Sequence, residues 1–407
     1  MPDPQSGWPP ESGMESLKYD VSPNVEDPRS SHYHLVEMTG FNRTVLEIGP
    51  ATGYITRVLR DRGCSVTCIE IDPEMAAKAN QYCSRMIVGD IETLDLSQSL
   101  GAAKYDVVLL GDVLEHLKDP WKVLNRLKPF LRPDGYTVVS LPNIAHGSVR
   151  LALLYGDFRY QPLGLLDQGH LRFFTFNTAL ELFHQAGYAV RKTVRLPRAL
   201  FDTELPLHPK RIARPILQAV EQDSESLTYQ FLFKAYPRRD KEFPVTIVLP
   251  VFNQVEQTIA CLEAVAKNTL DEQYELIVVD NASTDGTADF LSMLEGDVQI
   301  VTNPANVGYA RSCNLGAHLT GSRYLLFLRS EAVLRAGWLQ SQLQVAEKLQ
   351  DLGLMGGTRI SGLLVPRAAF WAVGGFDEDH RGDEDLHLSL RMRQQGYRIL
   401  PAPVQAP

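Results

Sequence analysis

Residues 45–72, VLEIGPATGYITRVLRDRGCSVTCIEID, decide the fold of the first half of the chain. Residues 45–48 are apolar enough for a buried strand, and GPATG after them predicts a tight turn. Residues 54–62 carry apolar side chains at helical spacing, and residues 66–69 predict a second strand that ends at Glu70. Strand, glycine turn, helix, strand and acid form the layout of a nucleotide-binding βαβ unit. The turn alone fits NAD nearly as well as another nucleotide cofactor.

Strands and helices continue to alternate along the first half of the chain, which predicts an α/β domain with a parallel sheet. An insertion at residues 142–174 follows the fifth predicted strand, at the sheet edge where ligands bind in open α/β folds. Helices are expected at 73–83 and 120–131, and a turn is expected at 132–135. Two further strand-like segments, 188–196 and 228–235, are expected to close the sheet.

A second α/β pattern begins after a short charged segment. We therefore expect a disordered tail over residues 1–27, a first domain over 28–236, a linker over 237–243 and a second domain over 244–407. The two halves are not sequence repeats, although each follows the same architecture.

Composition excludes several classes of protein. The hydrophobic fraction of 44% and the charged fraction of 22% are ordinary for a soluble protein. A net charge of −9 argues against nucleic-acid backbone binding. Five cysteines without a CxxC pair favour reduced thiols and a cytoplasmic location, and Cys64 and Cys68 lack the partners of a metal site. No apolar run is long enough to span a bilayer.

Further segments of the first half carry a family resemblance: LLGDVLEHLKDP (109–120), LRPDGYTVVSLPN (131–143) and DQGHLRFFT (167–175). Together with the opening unit they resemble class I S-adenosylmethionine-dependent methyltransferases, over residues 35–236. The last segment is similar to methyltransferases found with bacterial polysaccharide genes. The resemblance implies a Rossmann-like sheet and S-adenosylmethionine as the methyl donor.

The resemblance also implies a set of cofactor-binding residues: Glu47, Gly49, Ala51, Gly53, Glu70, Asp90, Ile91 and Asp112. The glycines bring backbone against the methionine moiety, Glu70 takes the ribose hydroxyls, and Asp90 with Ile91 contacts the adenine. Ala51 stands where many members have a third glycine, and its methyl group is tolerated if the turn stays tight. The alternative for Asp90 is a helix cap.

Methyl transfer to a hydroxyl benefits from a general base, most often histidine or a carboxylate. We expect the base among His170, His146 and Asp167, with His116 as a further candidate, and Asp167 is spaced to orient the His170 imidazole. The alternative for His170 is a structural hydrogen bond within the loop. The nearby aromatic cluster at 173–176 is expected to be core.

The second half resembles family 2 glycosyltransferases of the GT-A fold. Four segments carry this resemblance: VTIVLPVFN (245–253), YELIVVDNASTDGT (274–287), NPANVGYARSCNLGA (303–317) and AVGGFDEDHRGDEDLHLSLRMRQQGYRI (372–399). It implies a nucleotide-sugar site formed by Pro250, Asn253, Asp280, Asn281, Ser283, Asn306, Gly308, Arg311 and Arg329. The alternative for Asn281 and Ser283 is capping of the next turn.

The chain departs from this family at the metal-binding triplet after the fourth strand. Arg329-Ser330-Glu331 stands there, so only Glu331 keeps a carboxylate ligand and Mg²⁺ or Mn²⁺ binding is in doubt. Either Arg329 supplies the positive charge itself, or transfer activity has been lost. The family's acidic pair matches Asp385, the first candidate for the base, and Glu384, the second. The alternative is an acidic first helical turn stabilised by the helix dipole.

These observations predict a cytoplasmic transferase of bacterial surface-polysaccharide biosynthesis that methylates a sugar hydroxyl and adds a sugar from a nucleotide donor. The alternative is a methyltransferase whose second domain is inactive and only holds the acceptor. The acceptor is expected to be a glycan or a lipid-linked saccharide, which leaves peripheral membrane contact open. The sequence does not name the sugar, the methylated atom or the oligomeric state.

Overall fold

The computed structural model describes residues 23–238, 242–270, 273–294, 296–357 and 362–402. Most of the expected tail and the middle of the expected linker lie outside these residues. The chain divides into two compact units, one of residues up to Phe176 with Val194–Lys234, the other of Asn177–Thr193 with residues from Ala235 onward. The domain limits expected from the sequence stay a prediction.

Seven strands of the first half form one sheet: β1 (Thr44–Ile48), β2 (Ser65–Glu70), β3 (Arg85–Val88), β4 (Tyr105–Gly111), β5 (Leu131–Pro142), β6 (Tyr188–Pro197) and β7 (Thr228–Pro237). Their order is β3-β2-β1-β4-β5-β7-β6. The registers of β1 with β2 and β4, of β2 with β3, and of β4 with β5 are parallel. The order reverses direction after β1, so β1 and β4 flank the position where such sheets bind ligands.

The α-helices that the structure describes in the first half are α1 (Ser31–Thr39), α2 (Tyr54–Asp61), α3 (Pro73–Ala79), α4 (Leu96–Leu100), α5 (Pro120–Leu127), α6 (Gly147–Leu154), α7 (Phe176–Gln185) and α8 (Arg214–Glu221). The carboxylate of Asp72 caps α3 by accepting from the amides of Glu74 and Met75, and Asp119 caps α5 in the same way. Strands β1 and β4 are buried almost throughout, which places the core of this half between the helices and the sheet.

The structure corrects three details of the predicted first half. Helix α3 ends at Ala79 rather than at residue 83, and α4 was not predicted. The expected turn at 132–135 is the irregular start of β5, where the register against β4 shifts. Gly135 is required there because an added Cβ would lie 3.0 Å from backbone atoms of Arg132 and Tyr105.

The second sheet contains β8 (Val245–Val251), β9 (Tyr274–Asp280), β10 (Val298–Thr302), β11 (Tyr324–Phe327), β12 (Leu352–Gly357), β13 (Gly362–Pro366) and β14 (Arg398–Leu400). Their order is β10-β9-β8-β11-β13-β12-β14. The first four strands are parallel, as the sequence predicted, and β13 runs antiparallel to both β11 and β12.

The helices of this half are α9 (Val255–Asn268), α10 (Thr287–Ser292), α11 (Tyr309–His318), α12 (Trp338–Ala346), α13 (Arg367–Ala372) and α14 (Glu384–Gln394). Trp338 is fully buried among the apolar side chains of β8, β11 and α9, and its indole nitrogen donates to the hydroxyl of Thr269. Within the described residues, no helix is both long enough and apolar enough to cross a membrane.

Candidate active sites

The first candidate site begins at the tight turn between β1 and α2. Gly49 and Gly53 have φ angles of +67° and +82°, and an added Cβ on Gly53 would lie 2.8 Å from Cα of Ala79. Ala51 adopts a φ of +49°, a conformation that disfavours any side chain. The turn is therefore as tight as predicted, and the alanine methyl group is accommodated in a strained backbone.

Glu70 at the end of β2 closes this turn. Its carboxylate accepts from the backbone amides of Ala51 and Asp72, each at 3.0 Å. Burial raises the pKa of this carboxyl group, against the effect of those two hydrogen bonds. Each carboxylate oxygen can accept a second hydrogen bond, so the predicted contact with ribose hydroxyls is compatible with this arrangement.

Glu47, a predicted cofactor-binding residue, has a partner within the fold, and its predicted role stays a prediction. Its side chain is buried, and its carboxyl accepts from the Thr56 hydroxyl at 2.7 Å, on the inner face of α2. Burial raises the pKa of Glu47 to about 7. The contact joins β1 to α2 and therefore stabilises the turn between them.

Two acids follow β3 and β4, as predicted. Asp90 accepts from the amide of Glu92 at 2.8 Å and so caps the following turn, as in its alternative interpretation, while Ile91 is buried. Asp112 adopts a φ of +53° and accepts from the Ser140 hydroxyl at 2.7 Å and from the Gln230 amide at 2.6 Å. Positive φ at a residue other than glycine is common at functional sites.

Among the predicted bases, His146 has partners within the fold at both ring nitrogens, and its role as a base stays a prediction. Its side chain is fully buried, Nδ1 lies 2.8 Å from the Ser148 hydroxyl, and Nε2 lies 3.0 Å from the carbonyl oxygen of Arg198. Both ring nitrogens therefore have partners in the fold, and His146 caps α6.

His170 lies in a cluster with His116 and Glu115. The two imidazole rings meet edge to face with centroids 4.9 Å apart, and Glu115, His116 and His170 bring one ligand-type atom each within 4.8 Å of one another. Backbone contacts fix the insertion here, since the amides of Leu171 and Arg172 donate to the carbonyl oxygen of Glu115. These three residues can relay a proton or hold a cation.

The electrostatics of this cluster favour neutral side chains. Burial lowers the pKa of His170, and the neighbouring His116 adds to the effect. Burial raises the pKa of Glu115 well above its usual value, with a further contribution from the charge of Asp112. Neutral imidazole is the form that accepts a proton, and the lowered pKa of His170 favours that form.

Asp167 contributes to the loop that carries His170. One carboxylate oxygen accepts from the amide of Gly169 at 2.7 Å, and Nδ1 of His170 lies 3.4 Å from the carbonyl oxygen of Leu165. Sequence spacing had paired Asp167 with the imidazole, whereas the structure places a backbone oxygen at Nδ1. Gln230 was given no role by the sequence, because its contact with Asp112 across 118 positions is not visible in a local pattern.

The second candidate site lies at the carboxyl ends of β8 and β9. Asn253 has a φ of +56°. Its side-chain oxygen accepts from the backbone amide of Thr284, and its backbone amide donates to the Ser283 hydroxyl, each at 2.8 Å. Asp280 is buried and accepts from the amide of Ser283 at 3.1 Å. These contacts join the two predicted loops, and Pro250 lies half-buried one residue before the end of β8.

Two predicted nucleotide-sugar residues have internal partners. Asn281 is buried, and its side-chain oxygen accepts from Asn303 at 3.0 Å and from Ser312 at 2.8 Å, so its nucleotide-sugar contact stays a prediction. Asn306 accepts from the amide of Gly308 at 3.0 Å and so shapes the turn before α11.

Arginine side chains pair with acids at this site. Arg311 is exposed and lies 3.8 Å from Glu378. Arg329 lies 3.8 Å from Asp385 and 3.9 Å from Glu384, and its guanidinium covers the Tyr309 ring at 3.9 Å. Both acids belong to the first turn of α14. The fold thus brings the two candidate catalytic bases close to Arg329.

The triplet after β11 offers one carboxylate, that of Glu331. Glu331 is exposed and contacts the hydroxyl of Ser330 at 3.5 Å. A second group able to bind a cation, Asp377, His380 and His387, lies before and within α14, with its two imidazoles stacked 3.6 Å apart. Nδ1 of His380 and Nδ1 of His387 lie 3.6 and 3.7 Å from the same carboxylate oxygen of Asp377.

Comparison with known proteins assigns both halves. One family model, described as a methyltransferase domain, matches residues 21–193, and another, described as glycosyl transferase family 2, matches residues 246–366. Both resemblances and the α/β class of each half are thereby confirmed.

Similar proteins match one half or the other. A ubiquinone biosynthesis O-methyltransferase of Haemophilus ducreyi is 25% identical over 185 residues, which is 44% of this chain and 75% of that protein. An uncharacterized methyltransferase of a Mycobacterium species is 33% identical over 26% of this chain and 40% of that protein. An uncharacterized glycosyltransferase of Rickettsia bellii is 28% identical over 26% of this chain, and the match spans only 16% of its length.

Solved structures are similar to parts of this chain. A mannosyltransferase from Pyrobaculum calidifontis, in complex with GDP-Man and Mn²⁺, is 18% identical with a TM-score of 0.37, over 42% of this chain and 57% of that one. A SAM-dependent methyltransferase from Archaeoglobus fulgidus is 15% identical with a TM-score of 0.40, over 56% of this chain and 99% of that one.

Proposed function

We propose that this chain, a methyltransferase domain followed by a family 2 glycosyltransferase domain, methylates a saccharide hydroxyl and adds a sugar to the same class of acceptor. The observation that carries the proposal is the cluster of buried Glu115 and His170 with half-buried His116 beside Asp112, at the end of β4 where ligands bind in such sheets. A base of this kind serves a hydroxyl acceptor, which must lose a proton as its oxygen is methylated.

S-adenosylmethionine, when bound, supplies the activated methyl group. The residues of the first turn fit this donor, because Gly49 and Gly53 expose backbone without a Cβ and Glu70 offers two carboxylate oxygens. Asp90 and Ile91 would then border the adenine, and Asp112 would face the methionine end. The protein mainly holds the donor and the acceptor oxygen in line.

His170 would take the hydroxyl proton on Nε2, since a proton on Nδ1 points to the carbonyl oxygen of Leu165. His116 is fixed beside it through the contact of its Nδ1 with the carbonyl oxygen of Gly169 at 3.0 Å. The charges of Asp167 and Asp112 raise the pKa of His170, but the effect of burial, which lowers it, is larger.

A cavity of about 390 Å³ near the same insertion supports a saccharide acceptor. Arg198, Asp202, Glu204 and Tyr229 line it, with the Arg198 guanidinium 4.0 Å from the Tyr229 ring. Glu204 also accepts from the amide of Leu165, so the cavity adjoins the loop that carries His170. Hydroxyl-rich ligands pair well with such carboxylate and guanidinium groups.

Fusion of two transferase domains supports a role in bacterial surface-polysaccharide biosynthesis in the cytoplasm, by association rather than by chemistry. A lipid-linked saccharide is a suitable acceptor. Leu154, Tyr155 and Tyr160 are 63%, 49% and 53% exposed, an apolar surface that fits peripheral contact with a membrane.

A second candidate function is favoured by the pairing of Arg329 with both acids of α14. In this case the second domain holds the acceptor and does not transfer sugar. Incubation of the purified chain with a panel of nucleotide sugars separates the two functions. Glycan binding without hydrolysis or transfer would support the binding module, whereas sugar transfer would exclude it.

The methyl-transfer proposal is tested by calorimetry and by labelling. We expect S-adenosylhomocysteine, but not NAD, to bind the purified chain, and labelled methyl groups to enter a saccharide hydroxyl. Tight binding of NAD without S-adenosylhomocysteine would contradict the proposal.

A further inference from the structure

The glycosyltransferase fold implies a divalent cation at the triplet after β11, and the residues present do not fit one. Mg²⁺ requires about six oxygen ligands in near-octahedral geometry. Here Glu331 supplies one exposed carboxylate, Ser330 supplies a hydroxyl, and the first position holds the guanidinium of Arg329. A permanent cation at a ligand position repels a metal ion.

Contacts hold Arg329 firmly in place. Its guanidinium lies over the ring of Tyr309, which is the first residue of α11, at a distance of 3.9 Å. Burial works against the charged form, but the neighbouring Tyr309 and Asp385 keep the pKa of Arg329 above its ordinary value. The side chain is therefore a fixed positive charge at the edge of the second candidate site.

The positive charge of Arg329 interacts with two acids at similar distances. Asp385 and Glu384 lie 3.8 and 3.9 Å from its guanidinium, distances longer than a direct hydrogen bond. A guanidinium has five N–H donors in a planar fork, a geometry that matches phosphate oxygens. Arg329 can therefore pair with a phosphate while it remains close to both acids.

We propose that the second domain binds a nucleoside diphosphate without a divalent cation, with Arg329 supplying the positive charge that a metal supplies elsewhere. This inference rests on the proposed nucleotide-sugar function of the domain. Arg311 provides a second guanidinium. It lies three positions after Gly308 in the chain, and its side chain is 60% exposed.

The test is calorimetry of the full chain with UDP, GDP, ADP, CDP and dTDP, once with EDTA and once with MnCl₂. At least one nucleotide should bind, with affinities that agree within about threefold between the two buffers. R329A should weaken that binding by about tenfold to a hundredfold, the loss expected for a charge-assisted contact. R335A, which removes an exposed arginine six positions further on, should leave the affinity unchanged.

A gain-of-function variant sharpens the test. R329D places carboxylates at both ends of the triplet, so binding in this variant should require Mn²⁺, while R329K should bind in EDTA. Binding of S-adenosylhomocysteine reports that each variant is folded. Wild-type binding that strengthens tenfold or more with Mn²⁺ would overturn the inference and leave the proposed function standing. Failure of all five nucleotides would overturn both for this domain, without affecting methyl transfer.

Discussion

Each candidate site lies at the carboxyl ends of the parallel strands of its own sheet, but the two sites differ in their electrostatics. In the first half, buried Glu115 and His170 lie together with pKa values displaced toward their neutral forms. In the second half, Asp385 and Glu384 stand opposite a charged arginine. Neutral buried groups can exchange protons near pH 7, whereas a fixed guanidinium beside acids recognises an anion.

This difference shows how one architecture supports two chemistries. A methyl donor already carries positive charge, so its site gains from a base and needs no further cation. A nucleoside diphosphate carries negative charge, so its site needs positive charge near the phosphates. The side chains after β4 and after β11 meet these two requirements separately.

The largest expected effect is on methyl transfer in H170N. Asparagine keeps a polar side chain but cannot serve as a base, so kcat should fall by about a hundredfold to ten-thousandfold. S-adenosylhomocysteine affinity, measured by calorimetry, should stay within twofold because His170 belongs to the acceptor side. H208N changes an exposed histidine and should retain wild-type kcat. Equal kcat in both variants would remove His170 from the mechanism.

D385N should act on the other site alone. If Asp385 takes the acceptor proton, sugar transfer should fall by about a hundredfold or more, while methyl transfer is unchanged. Rates of both reactions are measured on the same preparation. D383N is the matched control, since Asp383 precedes the same helix without a side-chain capping bond. Loss of methyl transfer in D385N would contradict the separation of the two sites.

The free energy of unfolding should depend on pH through Glu47, the buried acid of β1. The pKa of Glu47 is raised to about 7 in the folded chain from 4.5, so its contribution is present below pH 4.5 and lost as pH rises to about 7. The wild-type chain should lose about 3 kcal/mol relative to E47Q across this window. Denaturant unfolding at several pH values measures the difference. Parallel pH profiles would show that Glu47 is not buried as described.

The smallest expected effect concerns Ala51. Its φ of +49° disfavours a side chain, so A51G should raise the free energy of unfolding by about 1 kcal/mol. A51V should lower it, since a branched side chain tolerates this conformation less well. Thermal unfolding with and without S-adenosylhomocysteine measures both. A stabilising A51V would contradict the strained turn.

The sequence predicted the parts of the fold that depend on local pattern. Apolar strands, helical spacing and the glycine turn placed β1, α2 and β2 to within a residue or two. The end of α3 was misplaced because residues 80–83 carry no glycine or proline to stop a helix.

The location of a site residue could be predicted from the sequence only where the residue stands at the end of a buried strand. Asp112 and Asp280 follow buried strands, and both lie at the expected sheet edges. His146 and Glu47 carry suitable chemistry but are buried with internal partners, which local sequence does not reveal. The contact of Gln230 with Asp112 depends on β7 closing the sheet, so only the fold could bring it to light.

The most direct test of the central claim is mass spectrometry of surface glycans from cells with the intact gene, with H170N and with the gene deleted. We predict that deletion removes one methyl group and one sugar residue from the same glycan, and that H170N removes the methyl group alone. An unchanged glycan, or a methyl group lost from a molecule that is not a saccharide, would contradict this account.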